Sequence, residues 1–289
     1  MHFGMRVPRG GPVTLEDVQA RPDSRGVILD EVGVSGLRYP IAVLDRERGK
    51  QETVGEFSLS VRLAEDVKGA HMSRFVELVG QHAGEVTAHT LPAMLHSLRS
   101  RLGSLEATVV VEFPYFLERQ APVCRSAALM DYQSRWAARA TGDEEVLTLT
   151  VKVPVTSVCP CSKAISDYGA HNQRGYITIS VRLQDPSSEP SEPVWIEELI
   201  ELAERSASAP VLPLVKRPDE RALTMRVYDN PVFVEDMVRG VVLDLKADDR
   251  FASFRVEAVN DESIHNHAAF ARYTSEGWLD IASEPFFDA

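Results

Sequence analysis

Cysteine is scarce in this chain, with three in 289 residues, and two of the three are separated by a single proline. Neighbouring positions in a Cys-x-Cys fit the geometry of a disulfide poorly, which excludes a disulfide framework and points to a reducing compartment. Cys124 then reads as a buried strand residue. Long apolar runs are missing as well. None approaches the roughly 18 residues that a membrane-spanning helix needs, so a soluble protein with no membrane partner is expected. The opening MHFGMRVPRGGPVTLEDV has no apolar signal core and reads as a loose arm, with a cytoplasmic location expected. Basic charge is also in deficit, at 31 Lys and Arg against 43 Asp and Glu, a net charge of −12. That argues against nucleic acid as a partner, because such binding depends on a cationic surface. A phosphorylated small molecule is still possible if Lys and Arg cluster locally.

What is present is a repeated order of periodicities. After an arm over residues 1–30, two strands are expected at Leu37 to Leu44 and Phe57 to Leu63, the second alternating Phe57, Leu59, Val61 and Leu63 with polar residues. A helix follows on Met72, Phe75, Val76 and Val79. A second runs from about Val86 to Leu102, with Pro92 sitting awkwardly near its start. Strands return at Ala107 to Phe116 and Cys124 to Arg139. The acidic Thr141 to Glu145 segment is the best boundary, dividing a first unit, 31–140, from a second, 141–289. The second unit repeats the plan: strands at Leu147 to Val155 and Ile177 to Leu183, a helix at Trp195 to Ser206, a polar link carrying KRPDE, a helix from Pro231 to Ala247, and strands at Phe251 to Val259 and Ala268 to Tyr273. The fold class is therefore α+β, two tandem units, each an antiparallel sheet with a helix pair on one face. Open sheet edges of this kind are often satisfied by other copies, so a homo-oligomer is expected.

The candidate chemistry centres on VPVTSVCPCSKAISDYGAHNQR, Val153 to Arg174, a turn-rich segment between two strands. Cys159 and His171 can reach one metal ion because Gly169 lets the chain turn back, although a Cys-Pro-Cys turn with a structural histidine is the plain alternative. Spacing does not say whether Cys159 or Cys161 is the ligand. A carboxylate would complete the set, and KRPDE offers Asp219 and Glu220, otherwise a solvated acidic turn. Glu235, in the first turn of a helix and flanked by Phe233, Val234 and Met237, is placed to accept two parallel N–H donors from a base edge, or simply to satisfy the helix N-terminus. Glu262, His265 and His267 form a proton-transfer candidate or a surface loop. Cations for an anionic group are Lys163 and Arg174 in the motif loop, Lys216 and Arg217 beside the carboxylates, and Lys68, His71 and Arg74 at the first helix.

Taken together, CPCSKAISDYGAHNQR, KRPDE, NPVFVEDMVR, ESIHNHAAF and KGAHMSRFVE closely resemble the type IB GTP cyclohydrolases, in the right order and over nearly the whole chain after the arm. The resemblance implies a bimodular tunnelling fold and homotetramers with active sites at subunit interfaces. It also implies hydrolysis of GTP to 7,8-dihydroneopterin triphosphate and formate, the entry to folate-type pterins. Carried over motif by motif, it makes Cys159, His171 and Glu220 ligands of a divalent metal. Manganese, zinc and iron all suit a set of one thiolate, one imidazole and one carboxylate. It makes Glu235 the guanine anchor, His265 the acid/base supported by Glu262, and Cys161 a neighbour of the reacting centre. The triphosphate falls to the Lys, Arg and His groups above, with Lys68, His71 and Arg74 supplied by a neighbouring subunit. The one departure is Ala70 in KGAHMSRF, where the family pattern has threonine. The competing readings are a nitrile-reducing enzyme of the same fold, whose Glu-Ser-Lys type signature is not apparent, and a non-catalytic metal- or purine-binding protein.

Overall fold

Alternation of apolar and polar residues builds long strands here, and the computed structural model, which describes residues 16–82, 84–184 and 193–281, joins them into one ten-stranded sheet. The strands are β1 (Leu29–Asp45), β2 (Gly49–Leu63), β3 (Glu85–Val86), β4 (Glu106–Gln120), β5 (Ala127–Thr141), β6 (Glu144–Val158), β7 (Asn172–Leu183), β8 (Ala209–Pro210), β9 (Phe251–Asp261) and β10 (Ala268–Thr274). Their order is β10-β9-β7-β6-β5-β4-β2-β1-β3, with β8 on β6. All pairings are antiparallel except β1 with β3.

The helices are α1 (Met72–His82), α2 (Thr90–Leu102), α3 (Pro160–Ile165), α4 (Ile196–Ser206), α5 (Arg217–Asp229) and α6 (Val234–Lys246). Helices α1 and α2 pack on each other and on β1, β2, β4 and β5, while α4 and α6 do the same on β6, β7, β9 and β10. Register explains why this face needs covering. Phe57, Val111, Trp136, Leu149, Val181 and Phe254 stand opposite one another in a row across six strands. All six are buried and belong to a single hydrophobic cluster that also takes in Leu91, Leu95, Leu199 and Met237 from the helices. Removing that surface from water is the main stabilising term.

At the boundary drawn over residues 141–145, Thr141 pairs with Glu144 and Gly142 turns the hairpin at φ 63°, so one sheet continues from the first unit into the second. Several expectations of individual elements are corrected. Val86 lies on β3, and α2 begins at Thr90, which puts Pro92 in the first turn, where its missing N–H costs no helical hydrogen bond. In α1 the buried residues are Phe75, Leu78 and Val79, while Met72 and Val76 are exposed. KRPDE is not a link, since all but its lysine open α5. Cys124 is exposed and lies in the turn between β4 and β5. Half of the arm over 1–30, residues 1–15, lies outside the described residues, as does most of the Gln184 to Pro193 loop, while Leu29 and Asp30 already belong to β1.

Candidate active site

Strand direction decides which motifs can meet. The C-terminal ends of β6 and β9 and the N-terminal ends of β7 and β10 lie at one end of the sheet. The Cys/His loop (159–171) and the Glu262 to His267 loop therefore rise side by side. The β4–β5 turn lies at this end too, because β5 runs antiparallel to β6.

Within the Cys/His loop the backbone is tied down closely. Cys159 caps α3 with extended backbone, its sulfur accepting from the Ser162 N–H at 3.5 Å. Its own N–H donates to the His171 carbonyl at 3.1 Å, and the His171 N–H donates to Ser162 Oγ at 3.1 Å. Gly169, at φ 150°, makes the reversal that this closure needs. Around the imidazole, Nδ1 lies 3.1 Å from Gln173 Oε1 and 4.0 Å from Glu262 Oε2. The Glu262 carboxylate thus faces His171, and its link to His265 runs through backbone, the His265 N–H donating to the Glu262 carbonyl. His265 stacks on His267 with ring centroids 4.9 Å apart. Below the loop, Asn260 Nδ2 donates to Ser157 Oγ at 2.8 Å in a buried contact. Gly175 makes room for it, since a Cβ there would stand 2.1 Å from Asn260 Oδ1.

Helix α5 is anchored at both ends. At its start the Asp219 side chain is fully buried and accepts from the N–H groups of Val123 at 2.8 Å, Cys124 at 2.9 Å and Lys216 at 3.0 Å. Those donors, led by Cys124, hold its carboxyl down at about 2. At its end Lys163 donates to the Tyr228 carbonyl and sits 4.5 Å over the Tyr228 ring, while Val227 packs on Val158 and Ala209. Asp219 is thus a bracket joining the β4–β5 turn to α5. The next residue, Glu220, is exposed in the first turn of that helix with Lys216 and Arg217 beside it, also exposed. Glu235 is exposed in the first turn of α6, and Cys161 and Arg174 are exposed on the loop and on β7.

Cys159, His171, Glu262 and His265 are thus gathered at one end of the sheet. Lys68, His71 and Arg74 are not brought there. They follow the C-terminal end of β2, which is the opposite end, and a strand of fifteen residues such as β6 spans roughly 45 Å. His71 faces Asp17 at 3.2 Å, and Arg74 donates to the Arg101 carbonyl at 3.0 Å. Among the described residues no three His, Cys, Asp or Glu side chains converge in a metal-holding group. The donor chemistry nonetheless fits a metal: a thiol and an imidazole sit on one closed loop, and the Gln173 contact engages Nδ1 and leaves Nε2 for an ion. Motif reading overlooked Gln173, Ser162 and the Asp219 bracket. For Gln173 a signal existed, since residues two apart on extended chain share a face.

The fold is that of the tunnelling-fold proteins. A uricase from Bacillus fastidious superposes with a TM-score of 0.53 at 7% identity, covering 87% of this chain and 93% of the other. A thermostable urate oxidase mutant from Bacillus sp. TB-90 superposes with 0.52 at 10% identity, covering 86% and 99%. Sequence narrows the class further. A family model described as type I GTP cyclohydrolase folE2 matches residues 15–271. The GTP cyclohydrolase FolE2 of Nitrosococcus oceani is 47% identical over 262 residues, covering 91% of this chain and 96% of its own. That of Akkermansia muciniphila is 48% identical over 259 residues, covering 89% and 96%. This chain belongs to the type I GTP cyclohydrolase FolE2 family.

Proposed function

We propose that the chain hydrolyses GTP to 7,8-dihydroneopterin triphosphate and formate, using a divalent metal held by Cys159, His171 and Glu220. The observation that carries this reading is the meeting of the Cys159/His171 loop with the Glu262 to His267 loop at one sheet end, in a chain of this family. A bound divalent ion, manganese, zinc or iron, supplies Lewis acidity and lowers the pKa of a water molecule. The Glu235 carboxylate accepts the ring N–H and the exocyclic amine of guanine, a bidentate pairing that adenine cannot supply. His265 delivers a proton to N9 as the C8–N9 bond opens and to N7 as formate leaves, with Cys161 close to the reacting carbon.

Lys163, Arg174, Lys216 and Arg217 supply positive charge for the triphosphate. Lys68, His71 and Arg74 lie too far along the sheet to join them within one chain, which favours their donation by a neighbouring copy in a homotetramer whose sites lie at subunit interfaces. The three cysteines are free thiols, in keeping with a cytoplasmic protein. No helix among the described residues is long and apolar enough to cross a membrane.

The test is to incubate the purified protein with GTP and manganese, then measure formate and, after oxidation, pterin fluorescence. Equal amounts of the two are expected. Absence of both with every divalent metal tried would overturn the reading.

A further inference from the structure

We infer that Gln173 is a positioning residue that fixes the tautomer of His171, placing the imidazole proton on Nδ1 and the lone pair on Nε2. The inference rests on the reading of His171 as a metal ligand only for its consequence; the tautomer itself stands on geometry. A neutral imidazole carries one proton, and which nitrogen holds it is set by the partner of the other. Here Nδ1 meets the Gln173 side-chain oxygen at 3.1 Å, and the Glu262 carboxylate lies 4.0 Å from the same nitrogen. The Gln173 oxygen is the acceptor within hydrogen-bond reach and Glu262 lies beyond it, which makes Nδ1 the donor.

Gln173 suits the task because it cannot easily move. It lies at the start of β7, paired opposite Ser157, and only 7% of its surface is exposed. His171 is tethered as firmly. Its carbonyl accepts from Cys159 N–H and its own N–H donates to Ser162 Oγ, so the ring retains little freedom beyond its side-chain torsions. The Gln173 contact removes that freedom. Without an acceptor at Nδ1, a histidine side chain favours the proton on Nε2, the nitrogen that an ion would need unprotonated. An outer partner of this kind typically contributes about 10- to 100-fold in metal affinity.

Two readouts test this. In the metal-free protein, at a pH where the ring is neutral, nitrogen-15 spectra should show His171 protonated on Nδ1. Gln173→Glu, which keeps the acceptor, should preserve that pattern, and Gln173→Met should shift it toward Nε2–H. Zinc affinity, measured by chelator competition, should fall about 10- to 100-fold in Gln173→Met and stay within a few-fold in Gln173→Glu. A parent protein protonated on Nε2 would overturn the inference whether or not any variant folds. A folded Gln173→Met with unchanged tautomer and zinc affinity would do the same. A parent with Nδ1–H that binds no metal would uphold the tautomer and sink the ligand reading instead, so the two failures are told apart.

Discussion

At the scale of single residues the site depends on a few carboxylates and on what holds them. In the proposed reading Glu235, in the first turn of α6, accepts two parallel N–H groups of guanine, a charge-assisted pairing stronger than a neutral acceptor would give. Glu235→Ala is expected to lower kcat/KM for GTP by about 1000-fold or more while metal content is unchanged, because the base edge is left unpaired. Steady-state kinetics with parallel metal analysis would check it. Asp219 makes a different prediction. Its carboxyl titrates at about 2 in the folded protein, below its ordinary value of 3.8. Its contribution to stability is thus complete above about pH 4 and is lost as pH falls toward 2. Asp219→Asn should flatten that part of the acid-unfolding curve, measured by circular dichroism against pH. The closing of the loop from Cys159 to His171 was legible because Gly169 lets the chain reverse there. The burial of Asp219 was not, since its donors belong to Val123 and Cys124, nearly a hundred residues earlier in the chain.

Elements with a strong apolar stripe were legible, and those without one were not. Helix α6 buries Val234, Met237, Val238, Val241, Val242 and Leu245 at helical spacing, which its sequence announces. Helix α5 buries only Asp219 and Val227, so RPDERALTMRVYD carries no such stripe and reads as a polar link. Its helicity follows from Pro218 near its start and from anchors at its two ends. Helix α2 gives the clearest contrast for a stability test. Leu95, 1% exposed, should cost about 2–5 kcal/mol when changed to alanine. Pro92→Ala should cost less than about 1 kcal/mol, because a proline in the first turn removes no helical hydrogen bond and only its restraint on the unfolded chain is lost. Urea unfolding of the two variants would show the difference.

For the molecule as a whole, the halves share one sheet and one core, and α4 fastens them further. Glu197 on α4 accepts from the Tyr115 hydroxyl at 2.7 Å and the Arg46 N–H at 2.8 Å, while Glu204 accepts from the Tyr132 hydroxyl at 3.1 Å and pairs with Arg119. Burial and the neighbouring carboxylates push both tyrosines well above their ordinary range. Tyr115→Phe, which leaves a buried carboxylate short of a donor, should destabilise the whole chain by about 1–3 kcal/mol in a single transition. Two fluorescence and circular dichroism transitions that separate would speak against a common core. The repeated order of elements was legible in the sequence. The continuity of the sheet was not, because strand pairing through the Gly142 turn depends on long-range register. The account as a whole is tested most directly by GTP carrying carbon-13 at C8, followed by NMR with the manganese-loaded protein. The label should leave as formate in step with formation of the pterin triphosphate. A label that stays in an intact purine, or a reaction that releases only phosphate, would contradict it.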